Sequence, residues 1–174
     1  LTTRDDLCKM GPNTILRMIR RYCLAAALTR PLLQSYDALG MHHPHPDDAP
    51  DADRAAVLRN LTHAARLCMS VSMDTIFAIR LYVGNCSVKP TVQAVLDELS
   101  TFLYSAVGET EGLLSTLKRL LPYFEPATHL DNQYLYSRRA DLVAMGDAIR
   151  ERVVEIWRTA QALYVLALAL VAVM

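Results

Sequence analysis

The sequence predicts an all-α fold, a multi-helix bundle with long central helices and a Pro/His/Asp-rich loop. Apolar residues recur at steps of three and four along five segments, which keeps them on one face of a helix, and no segment reads as a strand. Composition agrees: 52% of residues are apolar and 21% charged, enough apolar mass for a core and too little charge for a disordered chain. At 174 residues the length fits one domain, so residues 1–174 read as a single helical domain with surface loops at 40–53 and 122–136. Leu1 in place of an initiating methionine predicts a piece of a longer protein.

The first helical pattern runs from Asn13 through Ile15, Leu16, Ile19, Tyr22, Cys23, Ala26 and Ala27, with Pro12 and Asn13 as its start. Pro31 removes one i to i−4 bond and crowds the preceding turn, which predicts a kink or stop near Thr29 and a separate short piece from Leu32 to Leu39. Residues 40–53 combine prolines, acids and histidines and read as a loop. Asp51 or Asp53 then opens a long helix carrying Val57, Leu58, Leu61, Ala65, Cys68, Val71, Ile76, Ile79 and Tyr82, which stops at Gly84 and Asn85. Its middle is apolar on more than one face, which predicts the centre of the bundle.

Ser87, Lys89 and Pro90 start the next helix, with Val92, Val95, Leu96, Leu99, Phe102, Leu103 and Ala106 as its buried stripe. Thr110 predicts the cap of a separate short helix bearing Leu113, Leu114, Leu117, Leu120 and Leu121, ended by Pro122. An aromatic loop follows. From Gly146 the positions Ile149, Val153, Ile156, Ala160, Leu163, Ala167, Leu170 and Met174 form a heptad seam. This predicts a central helix of an antiparallel bundle and leaves homo-oligomerisation through 146–174 open. The run from Ala162 to Met174 is apolar on every face but spans only about 20 Å at the helical rise, short of a bilayer, so it predicts a fully buried core helix, with membrane contact not favoured for this chain unless a longer protein continues the run beyond Met174.

Lys+Arg and Asp+Glu both number 18, which excludes a whole-domain field drawing nucleic acid or an anionic membrane and leaves only local patches. Cys8, Cys23, Cys68 and Cys86 show no C-x-x-C; they read as small buried or half-buried thiols in a reducing intracellular compartment, not as zinc ligands or a disulfide framework. Asp47, Asp48 and Asp51 have the D-D-x-x-D spacing that holds magnesium diphosphate on a helix in prenyltransferases and terpene cyclases. Here Pro46 and Pro50 interrupt it and no second acidic motif completes the clamp, so it reads as a solvated loop. His42, His43 and His45 lie in an extended His-Pro-His-Pro backbone without fixed ligand geometry, and His63 and His129 stand alone. No nucleophile elbow, phosphate-cradling glycine loop or H-E-x-x-H pair occurs, so the expectation is no enzyme, no catalytic residue, no metal and no cofactor, with a magnesium-dependent helical enzyme acting on a diphosphate as the alternative.

The candidate binding residues are basic: Arg17, Arg20 and Arg21; Lys118 and Arg119; Arg138 and Arg139; Arg150 and Arg152. Guanidinium groups pair well with carboxylate or phosphate, so these clusters suit an acidic partner segment, with nucleic acid the less favoured ligand. Asp141, Asp147, Glu151 and Glu155 lie close enough in sequence to neutralise the last of them.

The segment LKRLLPYFEPATHLDNQYLYSRRADLVAMGDAIRERV, Leu117 to Val153, resembles the helical core of alphaherpesvirus tegument proteins of the virion-transactivator kind. A helix ends in a Leu/Phe-Pro-aromatic turn, a polar loop follows and an Arg-Arg helix returns; the Pro/His/Asp insertion between Ala/Leu/Arg-rich helices also matches the style of GC-rich herpesvirus genes. That family's acidic activation tail has no counterpart here. The resemblance implies a non-enzymatic virion scaffold that recruits viral or host proteins, in host cytoplasm or nucleus and in the tegument. A second option is a Bcl-2-like membrane-associated helical regulator, but its N-W-G-R turn is missing and Trp157 lies in I-W-R-T.

Overall fold

A computed structural model describes residues 3–41, 51–125 and 139–174, the side chain of Arg139 excepted. They form α1 (Arg4–Ala38), α2 (Ala52–Asn85), α3 (Pro90–Leu120) and α4 (Arg139–Val173), with a single 3-10 turn at Leu121–Tyr123, and no strand among the described residues. The all-α bundle read from the sequence is what the chain builds.

Each helix runs antiparallel to its neighbours. Cys8 near the start of α1 is bonded to Cys86 after the end of α2, while Arg54 at the start of α2 donates to the Leu39 carbonyl after the end of α1. The Asp51 amide, ahead of α2, donates to the Phe124 carbonyl beyond α3. Tyr36 near the end of α1 donates to the Gly146 carbonyl near the start of α4, at 2.7 Å. The packing order is therefore a ring, α1–α2–α3–α4 and back to α1, with α1 and α3 on opposite corners. Its core is largely aliphatic, with Ile15, Leu58, Leu96, Leu103, Leu117, Ile149 and Leu163 fully enclosed, and it also takes in the rings of Tyr22, Tyr36 and Phe124.

Several sequence expectations are corrected. α1 neither starts at Asn13 nor breaks near Thr29: it begins after a Thr3 cap and runs unbroken through Pro12 and Pro31. The inward residues Ile15, Ile19, Tyr22, Leu33 and Tyr36 continue on one face across Pro31, and their burial outweighs the roughly 3 kcal/mol that a mid-helix proline costs. Thr110 caps no separate helix. It is buried inside a continuous α3 and its hydroxyl returns to the Ala106 carbonyl at 2.6 Å. α2 is one of four corner helices, not the centre, and leaves Met73 and Phe77 exposed.

The second half of α4 is not fully buried. Leu163 and Leu170 point inward, whereas Tyr164, Val165, Leu168, Val171 and Met174 are all about half exposed or more. Finally, the reading of all four cysteines as thiols fails at Cys8 and Cys86, which form a disulfide. Antiparallel packing of α1 on α2 sets them opposite each other with Cα atoms 5.5 Å apart, within the bonding range, although 78 residues separate them. Cys23 and Cys68 remain thiols; burial pushes Cys68 up to about 12 and Cys23 upward as well.

Candidate interaction faces

The predicted basic clusters fall on different parts of the bundle. Arg17, Arg20 and Arg21 project into solvent from the N-terminal half of α1. Lys118 and Arg119 are exposed in the last turn of α3, where cations complement the carbonyl end of the helix dipole. Arg138 and the side chain of Arg139 lie outside the described residues. Arg150 pairs with Asp37 of α1 at 3.2 Å, and the Arg152 guanidinium lies directly over Gly112 of α3. The first cluster and the last are not one face: Arg150 stands beside the C-terminal end of α1, in an exposed pair with Asp37, and Arg152 packs over α3.

The acids and histidines do not build a metal centre in the part described. Asp51 is the N-cap of α2, accepting from the amides of Asp53 at 2.9 Å and Arg54 at 3.0 Å, with the Arg54 guanidinium on its other oxygen at 2.9 Å. Both carboxylate oxygens are thus committed to the helix start. Asp47, Asp48, His42, His43, His45 and His129 lie outside the described residues. Among those described, no three His, Cys, Asp or Glu side chains converge on a point that could hold a cation.

What sequence reasoning missed is apolar. Along the α1–α2 seam, Leu7, Met10, Met18, Phe77, Ala78 and Leu81 line an open groove of about 690 Å³. Met10, Phe77 and Leu81 are 54%, 67% and 41% exposed, so the groove leaves large side chains in water. The rim carries both signs, Arg4 and Arg17 against Asp6 and Asp74. Gly11 sits at the base because the Tyr82 ring occupies the space a β-carbon would need, which brings the two helices close there.

A second groove, about 600 Å³, follows the α1–α4 seam over Cys23, Ala26, Ala27 and Ala160. Trp157 closes one end: its indole donates to Thr29 at 2.7 Å and carries the Arg30 guanidinium over its ring, 5.2 Å from the centroid. Tyr164 and Val165 form the other end. These features were hidden in the sequence because an apolar residue at helical spacing reads as core unless the number of neighbours around that helix is known.

Charge is also segregated by helix. Between Leu7 and Tyr36, α1 carries Lys9, Arg17, Arg20, Arg21 and Arg30 and no acid. Between Pro90 and Leu117, α3 carries Asp97, Glu98, Glu109 and Glu111 and no base. No family model, no curated protein and no solved structure matches this chain.

Proposed function

We propose that this domain is a non-enzymatic protein-interaction scaffold that receives an amphipathic helix of a partner protein in the α1–α2 groove. The carrying observation is the exposure of Met10, Phe77 and Leu81 along one open channel. Contiguous large apolar side chains in water favour burial against a partner, and methionines with an aromatic adapt to the ridge of a docked helix. The rim, with cations and acids alternating, suits a helix whose flanks carry both signs. A photo-crosslinking amino acid at Phe77 should yield a discrete protein adduct in native extract, and the same group at the exposed Ala144 on α4 should not. Identical patterns from both positions would reject the groove as the docking site.

Membership of an alphaherpesvirus-type tegument, with viral or host proteins as partners, is part of this proposal and rests on Leu117 to Val153 alone. The Cys8–Cys86 bond speaks against the reducing compartment that membership implies, so the tegument reading and an oxidising setting are alternatives. A Cys8–Cys86 bond persists in oxidising surroundings, which favours a secretory, extracellular or virion-surface setting.

A second reading concerns α4. It contains an eighteen-residue window of mean hydropathy 1.7 of which only 22% is buried, and no charge follows Arg158, so this helix has the composition to contact a bilayer. Flotation with neutral lipid vesicles tests it, and Leu168→Asp should abolish any flotation that occurs.

A further inference from the structure

The opposite charges of α1 and α3 lie on opposite sides of the ring; Arg30 stacks on Trp157, Arg17 donates to Thr14 and Asp97 accepts from Gln93, but none of these contacts neutralises a charge. Among the described residues, Lys9, Arg17, Arg20, Arg21 and Arg30 enter no ion pair, and neither do Asp97, Glu98 and Glu111. The two sets also match in length. On the outward face Lys9 to Arg21 spans about 18 Å along α1, and Asp97 to Glu111 about 21 Å along α3, at the helical rise of 1.5 Å per residue. Beside its charges each helix exposes apolar surface, Leu24 and Leu28 at 58% and 55% on α1 and Phe102 at 41% on α3, while the Tyr104 ring is capped by the Arg80 guanidinium of α2.

We infer that the chain associates with a second copy of itself, the outer face of α1 on one molecule seated against the outer face of α3 on the next. Two α1 faces repel one another, as do two α3 faces, so the only attractive pairing joins unlike faces. Such a contact leaves a free α1 at one end and a free α3 at the other, and it repeats as an open head-to-tail chain. A strip one helix wide and about 20 Å long is small beside the roughly 800 Å² per partner of a stable complex. The association is therefore weak, needs high concentration and dissolves as salt screens its charges. This inference rests on the reading of the domain as a binding module, and its surface meets the groove only at Arg17.

Sedimentation velocity over a concentration series tests it. At low ionic strength the weight-average mass of the wild-type chain should rise with concentration, and about 0.5 M salt should return it to monomer, since the Debye length falls below about 5 Å there. Arg20→Glu/Arg21→Glu and Asp97→Lys/Glu98→Lys should each stay monomeric with unchanged helical circular dichroism. Mixing the two variants, or combining all four substitutions in one chain, should restore association. A wild-type chain that stays monomeric up to millimolar concentration at low salt overturns the inference, as does association that survives either reversal. Binding of the α1 face to an acidic peptide or an anionic vesicle by such a monomeric chain would assign that face to another occupant. The adduct formed from Phe77 is expected to be the same in all these variants, so failure here is separable from failure of the groove reading.

Discussion

Glu109 stands half-buried where α3 meets α4, accepting from the Thr159 hydroxyl at 3.5 Å. Burial raises its pKa above the ordinary 4.5, the Glu155 carboxylate raises it further, and Thr159 and Arg152 oppose the shift. A carboxyl raised in the folded state favours the fold while protonated. Its contribution is whole below the ordinary value and is lost as pH climbs through the raised one. Glu109→Gln should therefore melt higher than the parent at pH 7, with the two midpoints converging as pH falls to about 4. Equal midpoints at pH 7 would contradict the burial argument. Tyr22 is a second buried case: its hydroxyl has no hydrogen-bond partner among the described residues, and burial drives the phenol upward. Tyr22→Phe keeps the ring and removes the orphan, so urea unfolding should show stability unchanged or raised by up to about 1 kcal/mol. A loss of that size would mean the hydroxyl has a partner.

At the scale of the element, helical period located the inward residues but local rules misplaced the breaks. Ile15, Ile19 and Tyr22, then Leu96, Leu99 and Leu103, are enclosed as their spacing requires. Pro31 and Thr110 looked like punctuation because each disfavours a helix interior in isolation; neighbours outside the local window decide otherwise. Glycines separate the same two influences. Gly108 faces open space on α3, so Gly108→Ala removes backbone freedom from the unfolded chain without a clash and should stabilise by about 0.5–1 kcal/mol. Gly11→Ala meets the Tyr82 ring and should destabilise despite the better propensity. Chemical denaturation of both variants checks the pair, and a like response from them would show that packing at Tyr82 yields freely.

At the scale of the whole molecule, the antiparallel ring explains what the sequence could not display. A bond between Cys8 and Cys86 depends on the register of α1 against α2, which no cysteine spacing reveals. The exposed flank of α4 depends on how many helices surround it, and the segregation of cations to α1 and anions to α3 gains meaning only once those helices occupy opposite corners. The basic candidates were legible as residues but not as faces, since Arg150 pairs with Asp37 of α1 and Arg152 packs over α3. A non-reducing peptide map should recover Cys8 linked to Cys86, and Cys8→Ser/Cys86→Ser should lower stability by about 2–4 kcal/mol. Recovery of both as free thiols in protein from its native source would withdraw the oxidising compartment.

Trp157 is the chain's sole indole and sits half-buried at one seam, held by Thr29 and shielded by Arg30. Its fluorescence consequently has one origin. Parting of α1 from α4 will wet the ring and shift emission to the red, while events confined to the α2–α3 side will leave the spectrum still, so the molecule reports optically which of its sides has opened.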